Sequence, residues 1–305
     1  MNISTNKTYS IVFALPIKIC EYLGRHYPVV LVKLRYFWKF KKMPNLKEPR
    51  DLNEKILWLK LFSDTTEWTE LADKYRVRNY LEKLGLGDCL VELYGHWTNV
   101  NDIDFDILPN SLIFKANNGD GKGTNLIISD LKKENKERLR KILGKWLVRK
   151  NIGDLSAEPQ YKGIPPCIIA EELLPIPENC HSLIDYKIWC IEGEPKYVWI
   201  CSDRDKDGGG ADVMTYDLNW NSHPEFSVFT SEYRHGKLLP KPKNLDQMFD
   251  VARSLSAKFH QVRVDLYNIN GKIYFGELTF TSQGGMMDFY TPEFLLEMGE
   301  QIELP

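Results

Sequence analysis

The spacing of apolar residues changes character along the chain. Residues 53–61 (NEKILWLKL) put apolar side chains at helical spacing, and residues 1–70 as a whole read as helices and connections. A second helix is expected over 71–84, stopped by Gly85. Residues 111–117 (SLIFKAN) form a strand candidate, and 118–123 a glycine-rich turn. Asp130 is placed to cap a long amphipathic helix reaching residue 150. Beyond Cys167 strands take over: 167–173 (CIIAEEL), 185–191 (DYKIWCI) and 196–202 (KYVWICS), the last two joined through Gly193-Glu194-Pro195. A polar, Gly/Asp-rich loop spans 203–212. Residues 244–259 read as a helix with Asn244 and Gln247 as a capping pair. Residues 261–269 and 272–280 flank Asn270-Gly271, a strong hairpin signal.

These elements sum to an α+β chain of helices on antiparallel sheets, not a regular βαβ alternation. Three parts are expected: a basic helical segment over 1–70, a lobe with the glycine-rich loop over 71–170, and a second lobe over 171–305.

Composition narrows this picture. With 305 residues, 43% hydrophobic and 27% charged, the chain is long enough to bury more than one core, and neither disorder nor a repeat array fits. The net charge of −2 conceals an asymmetry: residues 1–50 hold ten Lys/Arg against Glu21 and Glu48, so the remainder carries 30 − 40 = −10. Basic and aromatic residues alternate over 34–42 (LRYFWKFKK), a mixture suited to an anionic membrane surface or a phosphate-bearing partner, and equally to a helix covering an acidic lobe. No run is long enough to span a bilayer, and 11–16 lacks a signal-peptide cleavage site, so the sequence reads as cytoplasmic. Nothing in it points to nucleic acid. The six cysteines lack zinc-ligand spacing and read as reduced, mostly buried thiols.

Candidate chemistry gathers on four stretches. Asp265 and Glu277 lie on the two strands of the last hairpin, five residues before the turn and six after it, so their carboxylates can approach each other. Two adjacent carboxylates need a cation between them. Mg²⁺, which takes hard oxygen ligands, suits them, and so does a plain ion pair of Asp265 with Arg263 two residues away. Lys115 stands in an apolar strand and requires an anionic partner. The run after it (NNGDGKG, 117–123) offers Gly119, Gly121, Lys122 and Gly123 to phosphate oxygens, although its order is neither a Walker nor a Rossmann motif. The strand ending in Glu171 and Glu172 can present backbone groups to a base, or simply end in solvent. Asp185 and Lys187 share one strand face, for an ion pair or a phosphate contact. The lone histidines His223, His235 and His260 do not single out a general base. Arg204 suits bidentate recognition of a substrate carboxylate.

The order and spacing of these stretches resemble the ATP-grasp superfamily, in particular its branch named for teichuronopeptide biosynthesis, the TupA-like proteins. The resemblance runs from about residue 51 to 304. It rests on 53–55 (NEK), 72–78 (ADKYRVR), Leu108-Pro109 before Phe114-Lys115, Glu171-Glu172, 185–187 (DYK), 263–267 (RVDLY) and 275–280 (FGELTF). It implies an ATP-grasp fold, with two α+β lobes clasping ATP behind an N-terminal helical segment. It also implies a ligase that phosphorylates a carboxylate and passes the acylphosphate to an amine.

By this resemblance Lys115 and Lys187 contact ATP phosphates under the loop Gly119–Gly123. Glu171, Glu172 and Leu173 hold adenine and ribose, Asp265 and Glu277 bind Mg²⁺, and Arg263 steadies the acylphosphate. Where the superfamily has Glu-x-Asn this chain has Glu277-Leu278-Thr279, a threonine shared by the branch. That makes Thr279 a weaker third ligand, with Thr281 or Ser282 close by to assist. The implied substrates are ATP, an amine, and the carboxylate of a uronic-acid-containing glycan or sugar nucleotide in cell-surface polysaccharide (capsule) biosynthesis. Residues 1–45 would bring the enzyme to the inner face of the membrane. The rivals are an ATP-grasp kinase, a nucleotide-sensing scaffold, and a membrane-associated glycosyltransferase using Asp102/Asp104 or Asp203/Asp205, none of which lies in a βαβ setting.

Overall fold

A computed structural model describes residues 16–119, 123–148, 152–178, 180–205 and 209–305. Gly121 and Lys122 of the expected phosphate loop lie outside the described residues, as do residues 1–15 of the N-terminal segment.

Two sheets organise the chain. A four-stranded antiparallel sheet has the order β1 (Leu93–Trp97), β4 (Ile168–Glu171), β2 (Leu112–Ala116), β3 (Asn125–Ile128). A six-stranded sheet runs β10 (Lys272–Thr279), β9 (Gln261–Ile269), β5 (Asp185–Ile191), β6 (Glu194–Ser202), β7 (Ala211–Tyr216), β8 (Tyr233–His235). Only the β7–β8 pairing is parallel, so no βαβ unit appears among the described strands and the α+β expectation holds.

The helices are α1 (Ile17–His26), α2 (Pro28–Phe40), α3 (Leu52–Phe62), α4 (Thr66–Ala72), α5 (Val77–Lys83), α6 (Lys136–Leu147), α7 (Ile152–Ser156), α8 (Leu245–Ser256) and α9 (Pro292–Glu300). Helices α3, α4 and α5 share the core of the six-stranded sheet through Leu52, Ile56, Leu71 and Leu81, with α8 packed on β5, β6 and β9. The four-stranded sheet has its own core with α6, built on Phe114, Leu139 and Leu143.

Several boundaries differ from the sequence reading for local reasons. The helix expected over 71–84 is broken: Asp73 turns its carboxylate onto the backbone N–H groups of Tyr75 and Arg76, ending α4 and starting α5. The helix expected from Asp130 starts at Lys136 instead, because Asn135 accepts from the N–H of Arg138. Asn244 does not cap α8 through its side chain. It bonds Gly271 O and Asn268, tying the helix to the last hairpin. The β5–β6 turn is Glu192-Gly193, both left-handed like Asn270-Gly271, so Glu194 and Pro195 already belong to β6. All six cysteines are free.

Candidate active site

The hairpin β9–β10 contains the detail that aligns the two carboxylates. Pairing proceeds evenly from Lys272↔Ile269 to Phe275↔Leu266 and then slips, so that Glu277 pairs with Asp265. Gly276 is the extra residue, a bulge at which an added Cβ would lie 3.0 Å from Asp265 O. Without the bulge Glu277 would point to the opposite face of the sheet. The same register places Lys187 beside Asp265 from β5, so one lateral row across three strands reads Lys187, Asp265, Glu277. The next row reads Trp189, Arg263, Thr279.

These two rows bond to each other. Arg263 donates from Nε to Asp265 Oδ1 at 2.7 Å and from one Nη to Oδ2 at 2.8 Å, while its other Nη reaches Ser282 Oγ at 2.8 Å. Thr279 Oγ1 accepts from Arg263 and donates to Glu277, both at 3.2 Å. Lys187 donates to Asp265 and stands 3.5 Å from Asp185, which is gripped in turn by Arg204 at 2.5 and 3.2 Å. The ion pair of Asp265 with Arg263 therefore exists, and it coexists with the neighbouring carboxylate. Asp265 is 2% exposed, whereas the Glu277 side chain is 40% exposed.

Charge states follow from this packing. Burial would raise the Glu277 carboxyl, but Lys74, Lys187 and Arg263 outweigh it and hold its pKa at about 2. Burial would likewise neutralise Lys187, yet Asp185 and Asp265 keep it above the ordinary lysine range. Asp185, also buried, is held low by Lys187 and Arg204. The Tyr267 phenol is pushed well up by the Asp185 carboxylate and by burial.

The facing wall comes from the four-stranded sheet. Lys115 on β2 and Glu171 on β4 are diagonal neighbours on one sheet face, with Nζ 2.7 Å from Oε2. Arg78, from α5, approaches the other Glu171 oxygen at 3.3 Å and donates to Val91 O at 2.9 Å. Strand β4 ends at Glu171, short of the expected 173. Glu172 and Leu173 follow as a half-buried connection, with the Glu172 N–H bonded to Glu92 O. At the loop, a Cβ on Gly119 would sit 2.4 Å from Thr124 Oγ1, so glycine is required there, and Gly123 adopts φ +73°.

Two cations that the sequence reading left unassigned join the walls. Lys74, in the break between α4 and α5, donates to Gly119 O at 2.8 Å and lies 3.3 Å from Glu277 Oε2. With Arg78, Lys115, Glu171, Phe275 and Gly276 it lines an open cleft. Their signal is the 72–78 stretch itself, a lysine and two arginines in a segment whose spacing predicts an unbroken helix.

The donor set fits a magnesium ion of the kind that keeps water and phosphate in its shell: two neighbouring carboxylates and the Thr279 hydroxyl. Asp265 Oδ1 accepts only one of these bonds and retains a lone pair. Among the described residues no larger cluster of His, Cys, Asp or Glu is gathered for a metal.

No curated protein matches this chain. Among solved structures it is similar to D-alanine–D-alanine ligase from Bacillus anthracis (15% identity, TM-score 0.43, 75% of this chain and 66% of that chain). It is also similar to the ATP-grasp ligase PsnB with a minimal precursor (11%, TM-score 0.41, 86% and 67%). A third is PurK, N5-carboxyaminoimidazole ribonucleotide synthetase, as its ADP complex (15%, TM-score 0.43, 73% and 49%). The chain thus spans between half and two thirds of these ligases' lengths. The model of the TupA-like ATP-grasp family matches residues 54–303, which takes in both sheets and every site residue named above. The chain belongs to the TupA-like ATP-grasp family, and its paired α+β sheets form an ATP-grasp fold.

Proposed function

We propose that the chain is an ATP-dependent carboxylate–amine ligase that makes an amide through an acylphosphate. The observation that carries this reading is the convergence of Lys74, Lys115, Lys187 and Arg263, from separate elements, around Glu171, Asp265 and Glu277. Attack of a carboxylate on the γ-phosphate of ATP brings two anions together, and preorganised cations offset that repulsion. Lys74, Lys115 and Lys187 take the phosphates, with Gly119, Gly121, Lys122 and Gly123 of the glycine-rich loop as further phosphate contacts. The backbone of Glu171 to Leu173 takes adenine against Phe275, and Glu172 takes the ribose. Asp265, Glu277 and Thr279 hold Mg²⁺, which when bound neutralises phosphate charge. Arg263 steadies the acylphosphate. Arg204, bonded twice to Asp185, sets that carboxylate and through it Lys187.

The substrates we infer are a uronic-acid carboxylate, on a glycan or sugar nucleotide of cell-surface polysaccharide biosynthesis, and an amino acid or other amine, joined at the inner face of the cytoplasmic membrane. The support is the family branch together with the basic N-terminal segment. No helix of the described residues is long and apolar enough to cross a membrane. The test is a panel of uronic acids and amines scored for ADP and amide, with Mg²⁺ omitted as control. ADP release that requires both partners is the expected result. ADP formed without an amine marks a kinase, and no ADP from any pair sinks the ligase reading.

A further inference from the structure

Helices α1 and α2 form a hairpin whose two sides differ in kind. The inner side is fixed to the body: Cys20, Leu31, Val32 and Tyr36 share a core with Leu57, Ala157 and Met286. A Cβ on Gly24 would lie only 1.7 Å from Asp154 O, so α1 rests directly on α7. Arg25 pairs with Asp154 at 2.8 Å, and Lys39 pairs with Asp288 at 3.0 Å while donating to Met286 O at 2.7 Å. These two cations do cover acidic groups of the body.

The outer side does not. On α2, Val30, Lys33, Leu34, Phe37 and Trp38 recur at helical spacing on the side opposite the buried Val32 and Tyr36, and Lys41 follows at the helix C-cap. Phe37 and Trp38 are 45% and 48% exposed, and Tyr22 and Tyr27 of the same hairpin are 57% and 53% exposed. Lys18, Lys33 and Lys41 make no ion pair with any described residue, and Lys41 lies over the Trp38 ring at 5.6 Å. From Pro16 to Met43 the only acidic side chain is Glu21. An exposed aromatic stripe flanked by unpaired lysines is costly to leave in water and complements a surface that is negative outside and apolar beneath.

We propose that this outer face of the α1–α2 hairpin docks on an anionic phospholipid bilayer, with Phe37 and Trp38 entering the headgroup boundary and Lys33 and Lys41 meeting the lipid charge. Because Lys39 is anchored to the segment that follows β10, docking sets the cleft at a fixed distance from the bilayer. The inference deepens the ligase reading, since a carboxylate borne by a lipid-linked glycan would arrive along that surface.

The experiment is co-flotation of the full chain with phosphatidylcholine vesicles, with and without phosphatidylglycerol. Binding is expected only to the anionic vesicles, with release when salt is raised to ~1 M and the screening length falls to about 3 Å. Phe37→Ser/Trp38→Ser and Lys33→Glu/Lys41→Glu should each lower the bound fraction at least about tenfold, with unchanged thermal melting because the residues are exposed. Trp38→Phe should still bind but lose most of the tryptophan quenching by brominated lipid. Absence of binding, equal binding to neutral vesicles, or unimpaired binding of both double variants overturns the proposal. ADP formation measured alongside separates the two readings: vesicle binding can fail with catalysis intact, and the reverse.

Discussion

The two walls of the cleft achieve similar charge with different means. On the six-stranded sheet, Lys187, Asp265 and Arg263 are held by strand register, and their side chains are between 3% and 9% exposed. On the four-stranded sheet, Lys115 and Arg78 are 21% and 15% exposed and both depend on a single carboxylate, Glu171. The first wall is built before any ligand arrives, since each member is fixed by a neighbouring strand. The second keeps two cations aimed with one anion, and Lys74 ties it to the first through Gly119 and Glu277. A cleft assembled this way keeps the geometry around Asp265 and Glu277 rigid and concentrates adjustability around Lys115 and Glu171.

Breaking the first wall should have the largest effect. Asp265→Asn removes the anion between two buried cations and leaves Arg263 and Lys187 without that partner. Removal of one member of a buried pair costs about 3–5 kcal/mol. Urea unfolding should show that loss together with abolished ADP formation. A cost below about 1 kcal/mol, typical of exposed pairs, would mean that the row is looser than its register implies.

The second wall should break more gently. In Glu171→Gln, the single amide oxygen can accept from only one of Lys115 and Arg78 and the amide NH2 faces the other, so one bond to a charged group is lost, about 1.5–3 kcal/mol. Because Lys115 is then no longer held by a carboxylate, while Arg78 keeps its bond to Val91 O, ATP affinity by calorimetry should weaken about tenfold, the equivalent of 1.4 kcal/mol. Unchanged affinity would show that Lys115 does not need Glu171 to find phosphate.

The contrast between the walls was only half legible in the sequence. Hairpin β9–β10 was readable because Asn-Gly fixes its turn and alternation fixes its faces, but a count from the turn leaves Asp265 and Glu277 one residue out of step. The Gly276 bulge resolves the mismatch, and the lone glycine between Phe275 and Glu277 was the available signal, since a glycine inside a strand pattern often marks a bulge. Lys74 escaped for a different reason. Helical spacing continues through 71–84, and the break depends on Asp73 capping its own neighbours, a competition between side chain and backbone that periodicity does not register. Lys115, by contrast, was legible because a lysine in an apolar strand demands an anion, and Glu171 supplies it. The Asn244 cap failed because its side chain found tertiary partners at Gly271 and Asn268.

The smallest effect on stability, and the sharpest separation of stability from function, should come from the residue where the walls meet. Glu277 is held at a pKa of about 2 against an ordinary 4.5, so its contribution to stability is fully present above pH 4.5 and is lost as pH falls toward 2. Its side chain is 40% exposed, however, and solvent screening limits that contribution to under about 1 kcal/mol. Glu277→Gln should therefore unfold within about 1 kcal/mol of the parent at pH 7, with the difference shrinking between pH 4.5 and 2. Mg²⁺-dependent ADP formation should nevertheless fall by at least about a hundredfold, because the amide keeps one oxygen ligand but loses the charge that faces Lys74. If stability and activity fell together, Glu277 would be a structural brace between Lys74 and Thr279 and not the group that meets the metal. If neither moved, the weight of the site would shift to Asp265 alone, and the bulge at Gly276 would have no catalytic reason to exist.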